Sequence, residues 1–272
     1  MTPASRTATV AVSGLVLLAA AVVLSVFVGA QALAPGEIVA ALLVVIGIRA
    51  GVLTSVTGYL WTALLGVILT GALVYAITLT VPLHRQPMTT ALGGAAIMAA
   101  TSSIIVGLLV SDDGALDVFR HWQVGSVAGK EARLLWPVAP FVLVGLALTL
   151  TSGRTLNTMA LGDDLARALG QRVLLARGGA LLGALLLTAA ACAVAGPIAF
   201  VGLAVPHLVR LVSGPDHRRI LLGSLLGGPA LLLLADTLGR VVTPPSEVQV
   251  GVMTAVIGAP VLILVARRAV RR

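Results

Sequence analysis

The residues able to do chemistry in this chain are few and scattered. His207 and His217 could in principle share a metal ion. Only four histidines are present, however, and no companion carboxylate pattern stands beside these two, so the arrangement a stable metal site needs is missing. They read instead as parts of a charged corner. Asp236 is an acid deep in an apolar run, LLLLADTLGR. A carboxylate at such a position is costly and faces protein or water. Arg240 follows one helical turn later and can pair with it. Ion relay and self-compensated structural pair are both open, and the absence of a second intramembrane acid to receive a proton favours the pair. The sequence holds no G-x-x-x-x-G-K-[ST] loop, no Ser/His/Asp nucleophile pattern and no zinc-protease motif, so an enzyme reading has nothing to stand on. No resident cofactor is expected. If ATP is used, another chain binds it. Cys192 is a lone thiol in an apolar run, a small packing residue by expectation.

The most informative polar stretch is LGDDLARALGQR, residues 161–172. Gly162 can break the preceding structure. Asp163 and Asp164 suit a helix start, where carboxylates meet the positive end of the dipole. Leu165, Ala168 and Leu169 form an apolar stripe at i, i+3 and i+4, and Gly170 can stop the helix. The spacing predicts a short capped amphipathic helix. It could lie at the lipid headgroups or serve as a docking helix for a soluble partner. Downstream, Gly196-Pro197 marks a break, Pro206 a kink or helical start, His207 and Arg210 a shared face, and Gly214-Pro215-Asp216 a turn.

The elements that must position these residues are set by composition. The chain of 272 residues is 58% hydrophobic and 10% charged, with mean hydropathy +1.08; a soluble domain carries about 25% charged residues. This predicts an all-α polytopic membrane protein forming one transmembrane domain over 1–272, with 156–172 as a cytoplasmic segment. At roughly 20 apolar residues per crossing, candidate spans are 9–29, 59–80, 88–110, 134–151, 173–195, 198–212, 220–239 and 249–266, about eight in all. The first, beginning after Arg6, reads as a retained helix and not a signal peptide, being long for one. The sixth is short and partly re-entrant. Pro35 and Glu37 look like the start of a short surface helix.

The net charge of +8 comes from 17 Arg and Lys130 against ten acids. The arginines cluster between apolar runs, which points to membrane topology and not to nucleic acid. With the N-terminus inside, thirteen basic residues fall on inner segments and five (Arg49, Arg120, Lys130, Arg133, Arg240) on outer ones. Both termini are therefore expected in the cytoplasm, with Trp61, Trp122 and Trp136 near the outer interface. Gly179 with Gly183, and Gly223 with Gly227, carry the four-residue spacing that lets helices approach closely in lipid.

ALGDDLARALG, AGPIAFVGLAVPHLVRLVSGPDHRR, LLLLADTLGR and PSEVQVGVMTAVIGAPVLILVARR occur in this order. Together they resemble the FecCD/BtuC-type permeases, membrane subunits of binding-protein-dependent ABC importers for iron chelates, haem and cobalamin. The resemblance is strong over roughly residues 115–272, and HWQVGSVAG resembles an outer-loop element of that family. It implies a permease of the bacterial cytoplasmic membrane that pairs with a second permease subunit, identical or related. ATPase subunits would dock on Gly162, Asp163, Asp164, Leu165, Ala166, Leu169 and Gly170. Gly196, Pro197, Gly202, Pro206, His207 and Arg210 would shape the path's inner gate or the corner behind it. An extracytoplasmic binding protein would deliver an iron-siderophore or related chelate, with Arg49, Arg120, Lys130 and Arg133 as its basic contacts. The first half departs from the family pattern, with about two helices fewer. A natural short variant, a partner that supplies the helices, and a permease that no longer transports are the open explanations. An ion-coupled secondary transporter is the rival from another class.

Overall fold

The computed structural model describes residues 56–82, 86–110, 123–242 and 247–270, with scattered helical positions between 39 and 47. The predicted first span, the Pro35/Glu37 helix start, Arg49, Arg120 and Trp122 lie outside the described residues.

Apolar runs become helices because lipid offers the backbone no other hydrogen-bond partner. In chain order these are α1 (Val56–Leu79), α2 (Gln86–Leu109), α3 (Leu135–Thr151), α6 (Val173–Ala195), α7 (Val201–Ser213), α8 (His217–Val242) and α9 (Val250–Val270). Two short helices, α4 (Gly153–Met159) and α5 (Asp163–Ala168), lie between α3 and α6. Seven of the predicted spans thus correspond to helices, with ends shifted by a few residues. Among the described residues, four helical stretches are long and apolar enough to cross a membrane outright: Met88–Leu109, Ala132–Thr151, Val173–Ala195 and His217–Val242. Hydroxyl groups in these runs bond their own helix, as Thr70 Oγ1 does to the Gly66 carbonyl at 2.8 Å. Thr78 and Thr90 bond each other at 2.8 Å, tying α1 to α2.

Helix α6 is the centre. Its span is 72% buried, against 22% for those of α2 and α3, and it packs on both α1 and α3. Its sequence explains this. Ala180, Ala184, Ala189, Ala190, Ala191 and Ala195 are buried with Gly183, and small side chains let neighbouring backbones come close. A methyl group on Gly183 would stand 2.7 Å from Thr149 Oγ1 and 3.1 Å from the Gly145 carbonyl oxygen of α3. Gly179 has open space around it, so of that predicted pair only Gly183 is a contact. The second pair is used in full: methyl groups on Gly223 and Gly227 of α8 would lie 2.5 and 2.8 Å from Val209 and Val205 of α7. Cys192 is buried in the bundle, packed with Leu64, Val67 and Ala189.

Helix α7 has 13 residues, about 20 Å of helix, too short for a hydrocarbon core of about 30 Å. The chain makes up the difference with the non-helical segment 196–200, most of it buried or half-buried. Irregular backbone at such depth is tolerated where protein covers it. The segment ends at Phe200, the non-glycine residue with a positive φ (68°) among the described residues. Its side chain lies over Gly258 of α9, where a methyl group would stand 2.4 Å away.

Loop 124–129 closes this end of the bundle. Ser126 N–H donates to the Ala195 carbonyl at 2.8 Å, and Gly251 N–H to the Gly125 carbonyl at 3.3 Å. Gly125 has φ +69°, and a methyl group there would stand 2.3 Å from the Pro197 carbonyl oxygen. The loop is thus wedged between the end of α6 and the start of α9. The opposite end gathers Arg154, Arg167, Arg172, Arg177, Arg210, Arg218 and Arg219, all among those the charge count assigns to the inner side.

Candidate docking and coupling site

The site builds on the arginine-rich end. Gly162, with φ +105°, is the N-cap position of α5, and its carbonyl accepts the Ala166 N–H at 3.0 Å. At the other end Gly170 has φ +78°. Its N–H donates to Arg167 O at 2.9 Å while Gln171 N–H donates to Ala166 O at 3.0 Å. That pair of bonds is a Schellman cap, which uses a left-handed glycine to satisfy the last carbonyls. Both glycines thus do what the sequence reading asks of them, and hold α5 to six residues.

The apolar stripe faces outward. Ala166 is fully buried, whereas Leu165 and Leu169 are 49% and 64% exposed, and Ala168 is exposed as well. Leu161, just before the helix, is 63% exposed. Three leucines therefore stand off the protein at its most charged end.

Two polar joints hold this knob. Asp163 accepts from Arg177 Nη2 of α6 at 3.2 Å, and Arg177 Nη1 donates to Gln86 Oε1 of α2 at 3.1 Å. Asn157 of α4 reaches the α7–α8 corner: its Nδ2 donates to Asp216 Oδ1 at 2.7 Å and its Oδ1 accepts the His217 backbone N–H at 2.8 Å. Asp164 pairs with Arg167 at 3.2 Å in full solvent contact, a pair of the kind worth about 0–1 kcal/mol. Asn157, Arg177 and Gln86 are residues the sequence reading missed. Their partners lie up to 91 residues away, and no local pattern announces them.

The six residues expected at the gate do not form one cluster. Gly196 (φ +74°, capping α6 through its N–H to Cys192 O) and Pro197 sit against loop 124–129. Gly202 and Pro206 are buried along α7. His207 and Arg210 are exposed further down α7, with His207 Nδ1 2.7 Å from its own helix at Leu203 O. Arg210 lies close enough to His217 for their charges to interact. His207 and His217 face different partners, and among the described residues no three His, Cys, Asp or Glu gather as a metal site would require.

Asp236 and Arg240 are paired, Nε to Oδ2, at 3.0 Å, and Glu247 lies 3.9 Å from Arg240 Nη1. Near loop 124–129, Arg133 is paired with Glu131, and Lys130 is exposed beside them.

With this geometry in view, the comparisons are decisive at the level of family. The model of the FecCD transport family matches residues 33–268. The chain belongs to the FecCD transport family. It is 38% identical over 208 residues to the probable siderophore transport system permease protein YfiZ of Bacillus subtilis (strain 168), covering 76% of this chain and 62% of that one. It is 41% identical over 186 residues to the ferric enterobactin transport system permease protein FepD of Escherichia coli (strain K12), covering 68% and 55%. The hemin transport system permease protein HmuU of Yersinia pestis is 42% identical over 171 residues, covering 62% and 51%. The chain thus spans about three fifths or less of the length of these curated relatives. Among solved structures, a protein described as an inward-facing metal-chelate type ABC transporter superposes with TM-score 0.82 at 23% identity, covering 98% of this chain and 90% of that one. PsaBC from Streptococcus pneumoniae gives 0.62 at 16%, covering 96% and 90%. Both likenesses concern the fold. This FecCD-family chain is a helical bundle that carries an α4–α5 knob, an α7–α8 corner and a wedged loop.

Proposed function

We propose that the chain is the permease subunit of an ATP-driven importer that carries a ferric siderophore or a related metal chelate across a bacterial cytoplasmic membrane. The observation that carries this reading is the α5 knob: a glycine-bounded helix, fixed by charged joints, whose leucines 161, 165 and 169 face away from the bundle. Exposed leucines gathered on a capped helix at a charged end mark an interaction surface, and the sequence has no ATP-binding loop of its own. Separate ATPase chains are the partner that fits. The arginine-rich end is then cytoplasmic, and loop 124–129 faces outward toward a substrate-binding protein, with Lys130 as a basic contact. A second permease subunit, identical or related, completes the path. Gly202, Pro206, His207 and Arg210 on α7 are its inner wall, while Gly196 and Pro197 set the outer anchor of the same helix. Permease names of relatives that include siderophore, ferric enterobactin and hemin support the substrate class.

The test is co-purification with the cognate ATPase subunit. The unmodified chain retains the ATPase, and the double variant Leu165→Asp/Leu169→Asp loses it while keeping its own thermal stability, because both side chains are already exposed. Unchanged retention in the double variant contradicts the docking role.

A further inference from the structure

Asn157 occupies a position with more connections than a surface helix needs. It lies on α4, which leads directly into the α5 knob, and its amide is engaged through both its nitrogen and its oxygen at the start of α8. Nδ2 donates to Asp216 Oδ1 at 2.7 Å. Oδ1 accepts the His217 backbone N–H at 2.8 Å and lies 2.8 Å from His217 Nδ1. The amide cannot turn over without setting donor against donor at His217 and acceptor against carboxylate at Asp216. Its orientation is therefore fixed from both sides.

Asp216 meanwhile caps α8 on its own account. Its carbonyl accepts the Ile220 N–H at 3.0 Å, and its Oδ1 accepts the Arg218 N–H at 2.9 Å, the bonding expected of an N-cap aspartate. Helix α8 consequently keeps its cap without Asn157. What Asn157 adds is a connection across 59 and 60 residues of sequence between the segment carrying the knob and the corner joining α7 to α8. The backbones are close there too: a methyl group on Gly153 of α4 would stand 3.4 Å from Arg218 Cα. Packing holds α4 against α8; the amide fixes its register.

We propose that Asn157 is a positioning residue that carries displacement of the α5 knob into the α7–α8 corner, so that movement of a docked ATPase reaches α7. The inference rests on the docking reading of α5. Transmission between sites needs a connected element that both sites bias. A rigid α4 with a two-way polar joint at one end and the knob at the other provides it.

The test places a reporter on α7. Val212, 89% exposed, is replaced by Cys and labelled with an environment-sensitive fluorophore; Cys192 is buried, so labelling is selective. The labelled chain is assembled with its ATPase, and the signal change on adding ATP and vanadate is read. Asn157→Leu keeps the ATPase bound and the complex folded at the assay temperature, but its signal change falls at least about fivefold, the lower range of typical coupling factors. Asp216→Asn, which keeps the accepting oxygen for Asn157, responds as the unmodified complex does. An Asn157→Leu complex that responds like the unmodified one overturns the proposal. So does loss of the response in Asp216→Asn, since the joint would then not be this hydrogen bond. Release of the ATPase, or unfolding of the complex at the assay temperature, in Asn157→Leu overturns it as well, by making the residue a docking or folding element. If the unmodified chain itself fails to retain the ATPase, it is the docking reading of α5 that has failed, and that outcome is told apart before any variant is made.

Discussion

Asp216 is held as a carboxylate below the usual range, first by the Asn157 amide donor, then by the Arg218 backbone N–H, partly offset by desolvation, with the Arg219 and Arg218 guanidiniums adding to the lowering. A carboxyl whose folded value is depressed contributes stability that is present above its ordinary value of about 4 and is lost as pH falls through the lowered folded value. The melting temperature of the purified chain should therefore exceed that of Asp216→Asn near neutrality. The two should converge on acidification below about pH 4; a constant gap would show that Asp216 does not titrate in this way. The second residue-scale claim concerns Asp236. Its pairing with Arg240 at 3.0 Å is that of a structural pair near a helix end. Replacing both, as Asp236→Asn/Arg240→Gln, should leave transport largely intact, because Asp236 and its partner are neutralised together and Glu247, the other carboxylate near Arg240, is half exposed to solvent. An ion relay would lose transport on Asp236→Asn whatever stands at 240. The pair itself was legible because its partners sit four residues apart on one helix. The Asn157–Asp216 joint was not, since hydrogen bonds across about 60 residues depend on how helices stack and leave no trace in spacing.

Among the elements, the seven long helices were legible because lipid forces an apolar run to close its own hydrogen bonds. The face each presents was less so. Gly179 and Gly183 share one spacing, yet only Gly183 meets α3, because the rotation of α6 is set by its alanine-lined contacts on two sides. Gly183→Leu should accordingly cost about 1–3 kcal/mol of overpacking, while Gly179→Ala should leave thermal unfolding unchanged; equal effects would mean the α3–α6 packing is misassigned. The stripe of α5 carried the reverse lesson. Leu165, Ala168 and Leu169 were legible as one face, but not whether that face turns inward; the structure buries Ala166 instead. Loop 124–129 is as constrained as any helix. A methyl group on Gly251 would stand 1.8 Å from the Val124 carbonyl oxygen, and backbone on both sides cannot yield. Gly251→Ala should therefore lower the melting temperature of the chain more than Gly179→Ala does.

For the molecule as a whole, the bundle keeps its two ends distinct. One end carries seven arginines, the α5 knob and the α7–α8 corner; the other carries the wedged loop and the Asp236–Arg240 pair. Helix α7 spans between them, anchored at Gly196–Phe200 and packed through Val205 and Val209 on the glycines of α8, so any displacement of the corner is felt along it. The four motifs from residue 156 onward mark out this half of the fold. The shortfall in length against curated relatives, visible also in their 51–62% coverage, leaves transport itself as the claim to measure. The chain, its second permease subunit, its ATPase and its binding protein are reconstituted in liposomes, and uptake of an iron-55-labelled ferric siderophore is followed. The account predicts uptake that requires ATP and disappears in Leu165→Asp/Leu169→Asp. Uptake driven by a proton gradient in liposomes lacking the ATPase, or none in the complete ATP-supplied assembly across ferric hydroxamate, ferric citrate, ferric enterobactin and haem, would contradict it.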